Sequence, residues 1–263
     1  MDKRSCSAII PAVLLLVLIG CDGSSGGDTF TTTGIETSVD PANLDPALFV
    51  SRVDNPLFPL TPGTTSVYGG DEDVVVETTE RTRTIQGITA TVVRDRVFED
   101  GVLVEDTEDW FAQDVEGNVW YLGEDVKDFD EEGNVVSTGG SFEAGVNGAQ
   151  PGIQMPATPQ VGQIYSQEMA PGVAEDMSEN LATNETVETA VGTFTGCLKR
   201  KEFNPLEPGK EEEKWFCPGI GLVRAVVSAD PDPEEIGKTV AIGSTFTGPA
   251  NIDELFPEEE AED

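Results

Sequence analysis

Four carboxylates, Asp95, Asp106, Glu108 and Asp125, and four arginines, Arg81, Arg83, Arg94 and Arg96, are the side chains whose spacing could carry chemistry in this sequence. Gln86-Gly87, Asp100-Gly101 and Glu116-Gly117 punctuate the same stretch and suit two-residue hairpin turns. With those turns, Arg96 is expected to face Glu105, Asp95 to face Asp106, Val92 to face Asp109, and Glu108 to face Asp125. Because side chains alternate along a strand, Asp95, Asp106, Glu108 and Asp125 then share one face of three adjacent strands. Like charges placed opposite one another destabilise a sheet, so solvent, a cation or protonation must relieve them. A site for calcium or another hard cation is one such chemistry, since these ions take about six to eight oxygen ligands. A raised-pKa general acid beside an ionised partner, as in glycoside hydrolysis, is another. A solvated acidic face is the plain alternative.

The same turns gather Arg81, Arg83, Arg94 and Arg96 on the opposite face, where guanidinium groups could hold the carboxylate, sulfate or phosphate of a ligand. The competing reading is a ladder of salt bridges to Glu77, Glu105 and Asp109. The aromatic residues Trp110-Phe111, Trp120-Tyr121 and Trp215-Phe216 come as adjacent pairs, so each pair sends one ring to either face. The outward rings would form a stacking platform or lie under a second packed layer. Asp128 to Gly133 imitates the start of an EF-hand loop, but Gly139 stands where a bidentate Glu is required, and a hairpin turn is expected instead.

The elements that must position these groups are strands. From Thr91 to Phe142, short runs of Val, Phe, Trp and Tyr alternate with turn residues about every 16 positions, the pattern of an antiparallel meander. Val74–Ile85 and Ile88–Phe98 are rich in Thr and Val, as a half-buried pleated surface prefers. Residues 139–161 hold many Gly and Pro and read as a long irregular loop or cover. Two or three strands are expected over 162–194, separated by an acidic loop. Cys197 and Cys217 lie on the next two strand-like runs and are expected to form a disulfide, closing a loop that stabilises the fold by roughly 3 kcal/mol.

Composition excludes several classes. There is no histidine, which removes the usual general base, the Ser-His and Cys-His nucleophile pairs and the commonest zinc ligand. With 50 acidic and 15 basic residues, the formal charge of −35 repels nucleic acid and anionic headgroups, so no nucleic-acid partner is expected. The acid load suits a high-salt habitat or cation binding. No P-loop, GxGxxG, GxSxG or solenoid-period repeat is present.

The chain opens Met1-Asp2-Lys3-Arg4, continues through apolar residues Ala8–Ile19 and reaches Leu18-Ile19-Gly20-Cys21. A basic start, a short apolar run and small residues before a cleavage point are the features of an export signal. The tetrapeptide resembles the bacterial lipobox, which implies cleavage after residue 20, acylation of Cys21 and anchoring to a membrane. Asp22 after it resembles the inner-membrane retention signal of enteric bacteria. Residues 21–49 are expected to be the lipidated cysteine and a flexible Gly/Ser/Thr-rich tether, with one helical turn capped by Asp40.

Asp54-Asn55-Pro56, Phe58-Pro59-Leu60, Pro62-Gly63-Thr64, Asp109-Trp110-Phe111-Ala112-Gln113-Asp114, Gly117-Asn118-Val119-Trp120-Tyr121, Gly148-Ala149-Gln150-Pro151-Gly152 and Pro218-Gly219-Ile220-Gly221-Leu222-Val223 resemble a family of secreted and lipid-anchored bacterial proteins. The likeness spans most of residues 50–227 and departs at Ser66, where such sequences more often carry Trp. It implies an all-β domain and brings no assigned activity or catalytic residue.

The expectation is therefore one all-β domain over residues 50–250, a mostly antiparallel meander curved into a sandwich or open barrel. A disordered acidic tail is expected over 251–263. The function expected is a non-catalytic module, lipid-anchored in the cell envelope and facing periplasm or exterior, for a small ligand, a cation or an envelope partner. The alternatives are an extracellular carboxylate-dependent hydrolase and a structural envelope component.

Overall fold

The computed structural model describes residues 35–69, 73–189, 191–228 and 239–242. Among them lie a 3-10 turn, Pro46–Leu48, and β1 (Phe49–Val50), β2 (Thr64–Gly69), β3 (Asp73–Ile85), β4 (Ile88–Glu99), β5 (Val102–Asp114), β6 (Val119–Phe129), β7 (Val135–Ser137), β8 (Phe142–Glu143), β9 (Gln150–Met155), β10 (Ile164–Ser166), β11 (Glu168–Met169), β12 (Met177–Thr189), β13 (Gly192–Phe203), β14 (Glu211–Cys217), β15 (Gly221–Ser228) and β16 (Thr239–Ile242). One sheet runs β11-β9-β6-β5-β4-β3-β2-β16, with β1 added to β5 and β7 and β8 added to β6. The other runs β10-β12-β13-β14-β15. The chain is thus all-β and antiparallel, the larger sheet curling as a half-barrel over the smaller.

Turn chemistry sets the first two hairpins. Gln86 and Gly87 take φ of 49° and 83°, and Asp100 and Gly101 take 50° and 79°, the left-handed pair that a two-residue turn with matching twist requires. Ile85 accordingly pairs with Ile88, and Glu99 with Val102. The β5–β6 connection is longer than two residues, Gln113 pairing with Val119. Between β6 and β7, Asp130 accepts backbone N–H groups from Glu132 and Asn134, so the EF-hand look-alike is a hairpin turn.

Each face of the large sheet has its own core. The inner face meets the small sheet through Val76, Val93, Phe111, Tyr121 and Met155 packed with Leu198, Phe216 and Leu222. The outer face carries Ile85, Ile88, Trp110, Trp120, Leu122 and Ile153. This resolves two of the three aromatic pairs, while Trp215 and Phe216, with a register shift between them, both belong to the inner cluster. Phe111 and Tyr121 point inward, Trp110 and Trp120 outward, and the outward rings lie under a second packed layer.

That layer corrects the expected tether. Ile35, Val39, Leu44, Leu48 and Phe49 pack on the outer face, and Val39 is only 4% exposed. Asp40 caps a tight turn as expected, accepting from the Ala42 N–H, and the 3-10 turn follows it with its own cap, Asp45, which accepts from the Ala47 N–H. Burial of these apolar side chains is what orders this Gly-poor half of the segment. Residues 1–34, including the signal-like run and Cys21, and the tail 251–263 lie outside the described residues.

Residues 139–161 are likewise not a loose cover. They supply β8 and β9, both paired to β6. Gly152, one of the glycines that suggested a loop, serves close packing instead, since a Cβ there would collide with the Gln167 carbonyl; on β6, Gly123 likewise lets the Phe142 carbonyl of β8 approach. The disulfide Cys197–Cys217 staples β13 to β14 across a Cα separation of 4.1 Å, with both cysteines buried.

Candidate functional site

The register of β4 against β5 decides where the predicted site residues fall. The pairing starts as the turn dictates, Glu99 with Val102 and Phe98 with Leu103, but then shifts by one so that Val97 meets Glu105. The extra residue is Val104, a β-bulge. Beyond it, Arg96 pairs with Asp106, Asp95 with Thr107 and Arg94 with Glu108, while Trp110 rather than Asp109 faces Val92. Glu108 does face Asp125, as expected.

Asp95 is therefore separated from the other three proposed cation ligands. It is buried on the inner face, whereas Asp106, Glu108 and Asp125 stand on the outer face beside the arginines. There Arg94 grips Asp106 with two hydrogen bonds of 2.7 Å, Arg81 meets Glu108 at 2.7 Å, and Lys127 meets Asp125 at 2.8 Å. Arg83 pairs with Glu143 while lying 3.8 Å over the Trp110 ring, and Arg96 reaches Glu77 at 3.9 Å. Two of the expected cation ligands, Asp106 and Glu108, are thus neutralised by two of the expected anion ligands, Arg94 and Arg81, while Asp125, Arg83 and Arg96 find other partners, in a salt-bridge ladder. The ladder forms with partners other than Glu105 and Asp109, because the bulge sends those two inward. Among the described residues, no group of three or more Cys, Asp or Glu side chains converges as a metal would need.

The acids that do come together are inside. Asp109 on β5 pairs directly with Glu124 on β6, both at most 1% exposed. The Tyr121 hydroxyl donates to Asp109 at 2.7 Å. Burial pushes the Asp109 carboxyl up to about 8, with the Tyr121 hydrogen bond opposing. Burial and then the neighbouring Asp109 raise Glu124 well above the ordinary range. Next along the interior, Glu168 on β11 and Asp176 before β12 form a second pair. Burial raises both, Asp176 to about 7.

The small sheet contributes cations to the same interior. Lys214, fully buried, reaches Glu202 at 2.6 Å and Glu212 at 2.8 Å, and Arg200 pairs with Glu202. Burial acts to raise Glu202, but Arg200 and Lys214 outweigh it and hold that carboxyl below its usual value. Burial leaves Glu212 at about 7 despite Lys214. Arg200 also donates to the Gln154 carbonyl at 2.6 Å, and Gln167 bridges Gln154 and Glu202. The two sheets are thus joined by a sealed polar seam as well as by apolar packing. Apart from Asp109, expected as a salt-bridge partner, and Tyr121, expected in an aromatic pair, none of these groups was singled out from the sequence. The available signal was parity: Glu105, Thr107, Asp109 and Phe111 share a face, so once Phe111 is assigned to the core the two acids follow it.

The residues of the family-like motifs converge elsewhere, in a knot of loops. Gln113 accepts from the Asp54 and Asn55 N–H groups, and Asn55 donates to the Gly117 and Pro156 carbonyls. Asp114 accepts from Asn118 and from the Trp120 indole at 2.9 Å, and Asn118 donates to the Glu36 carbonyl. These polar residues satisfy buried backbone groups, which is a structural use.

Two cavities border this framework. One, of about 170 Å³, opens at the mouth between the sheets and is lined by Phe58, Thr65, Ser66, Tyr68, Val93 and Leu222 among others. Tyr68 bridges the sheets there through the Leu222 carbonyl, and Gly219 ties the β14–β15 turn to the Pro56 carbonyl. Ser66 is the position at which the family-like pattern more often has Trp, and its small side chain leaves this space open. The other, of about 260 Å³, lies on the outer side between residues 35–41 and β9. Neither is lined by any of the buried carboxyls.

No protein-family profile matches the chain, and no curated protein matches it. Two solved structures do. One is a candidate exported protein with a YmcC-like fold from Bacteroides fragilis NCTC 9343, at 16% identity over 70% of this chain and 98% of that one, TM-score 0.37. The other is a candidate lipoprotein from Parabacteroides distasonis ATCC 8503, at 14% identity over 71% of this chain and 99% of that one, TM-score 0.39. At such scores neither bears on what the site does.

Proposed function

We propose that the protein is a lipid-anchored component of a bacterial cell envelope, held through Cys21 and facing periplasm or exterior, whose folded body is a non-catalytic binding module. The observation that carries the second half is a separation: the carboxyls raised furthest, Asp109, Glu124, Glu168, Asp176 and Glu212, are buried between the sheets, while the mouth cavity is lined by apolar and hydroxyl side chains. A carboxylate hydrolase needs its acid and base where substrate can reach them. Asp109 at 0% and Glu124 at 1% exposure do not offer that. A purely structural component has no use for an open cavity. The lining carries no charge, so the ligand it suits is small, neutral and partly apolar, with groups for the Thr65, Ser66 and Tyr68 hydroxyls. The anchoring half rests on Leu18-Ile19-Gly20-Cys21.

The test is a melting-temperature screen against neutral sugars, polyols and small alcohols, with calcium and simple anions alongside, on wild type and Ser66→Trp. A ligand at 100 times its Kd stabilises by about 2.7 kcal/mol. A shift with a neutral compound that Ser66→Trp abolishes by filling the cavity supports the reading. A shift with calcium alone, or with none of the compounds, overturns the assignment of ligand class. Metabolic labelling with an alkynyl fatty acid, lost in Cys21→Ala, tests the anchor separately.

A further inference from the structure

We infer that the outer cavity of about 260 Å³ houses one acyl chain of the lipidated Cys21 when the protein is away from a bilayer. The inference rests on the lipid-anchor reading above. Ile35, Pro41, Trp120, Pro151, Ile153 and Met169 form the walls, and no charged side chain lines them in a chain with 50 acidic residues. The Trp120 indole N–H is already taken by Asp114, so the ring adds apolar surface to the cavity without an unmet donor. The hydroxyls of Thr37 and Ser166 are the polar side-chain atoms at hand. Such a lining selects a hydrocarbon. An apolar cavity of about 150 Å³ takes a six-carbon ring, so one of this size takes roughly ten carbons.

The position of the cavity selects the source. Its outer wall is the start of the described chain, and that wall is pinned by Asn118 to the Glu36 carbonyl and by Thr37 to Asp114. Ile35 follows Cys21 by fourteen positions, through a run dominated by Gly, Ser and Thr. A Gly/Ser/Thr-rich coil of that length would span roughly 20 Å, so an acyl group on Cys21 is held at high effective concentration beside the cavity. A full-length membrane anchor outruns ten carbons, so a bilayer wins the chain whenever one is present. The cavity therefore shields apolar surface only in the released protein.

The probe is a brominated ten-carbon alcohol, neutral so that the protein's charge does not repel it, with tryptophan quenching as the readout. The Cys21→Ala chain, which keeps every described residue, should bind it saturably, and Met169→Glu in that background should weaken binding at least tenfold with unchanged melting temperature. Lipidated protein freed of detergent should bind at least tenfold more weakly than Cys21→Ala, because its own chain competes. Mass spectrometry of the N-terminal peptide reads acylation independently. No binding to Cys21→Ala would overturn the cavity assignment whatever the state of Cys21. Equal binding by acylated and Cys21→Ala proteins would overturn its own chain as occupant, and absence of acylation would overturn the anchor reading and this occupant together.

Discussion

Asp109 and Glu124 face each other across β5 and β6 with both carboxyls buried, and the Tyr121 hydroxyl sits 2.7 Å from Asp109. Two like charges opposed in a dry interior cannot both persist, and proton retention relieves them where neither solvent nor a cation reaches.

Stability should consequently fall as pH rises. Asp109, Asp176 and Glu212 bind protons up to about pH 8, 7 and 7, against ordinary values of 3.8, 3.8 and 4.5. Between those limits the folded chain holds more protons than the unfolded one, so this stabilisation is complete below about pH 4 and lost through pH 7 to 8. Glu202, held low, acts oppositely, its contribution fading as pH drops below about 4.5. Urea unfolding should show a maximum near pH 5 and a decline on the order of 2 kcal/mol or more by pH 8.5. Asp109→Asn, which keeps an acceptor for Tyr121, should flatten the part of that decline above pH 7. A maximum at pH 8 would refute proton retention.

Lys214 is the cation two buried carboxylates share. Lys214→Met leaves Glu202 with Arg200 and takes from Glu212 its ion-pair partner, leaving only the more distant Arg200, and should cost about 3 to 5 kcal/mol at pH 7. Adding Glu212→Gln should recover part of that loss in equilibrium unfolding. Additive losses would show that the pair is not coupled.

Asn55 should matter far more than its place in a loop suggests. Its amide satisfies two carbonyls and its oxygen accepts from the Leu57 N–H. Asn55→Ala should lower stability by about 1 to 3 kcal/mol, read by thermal or urea unfolding. A change within about 0.5 kcal/mol would show that water replaces those bonds.

The outer ladder should contribute little. Arg94 and Asp106 are partly exposed, at 36% and 17% of their side-chain surface, so a double-mutant cycle between them should return about 0.2 to 1 kcal/mol and shrink in 1 M salt. Calcium should not shift the melting temperature of wild type relative to Asp106→Asn/Glu108→Gln, since each carboxylate already has a cationic partner.

Much of the fold was legible in the residues themselves. Gln-Gly and Asp-Gly dictate left-handed turn pairs, so the β3–β4 and β4–β5 hairpins follow from local chemistry, as does the Asp130 turn. The division of Trp110-Phe111 and Trp120-Tyr121 between two faces follows from period-two alternation, and the Cys197–Cys217 bridge from two cysteines on successive strand-like runs of an exported chain. What tertiary structure alone decided is which acids are buried. Val104 is unpaired in a bulge, which adds local twist to the sheet, and that single residue moves Asp95 away from Asp106 and brings Glu105 and Asp109 toward the small sheet. No local propensity announces a bulge, and a one-residue slip exchanges every side chain between faces. The same holds for residues 35–49: Ile35, Val39, Leu44, Leu48 and Phe49 pack together on Trp110, Trp120 and Ile153 of a sheet far away in sequence, and that apolar surface is what orders them.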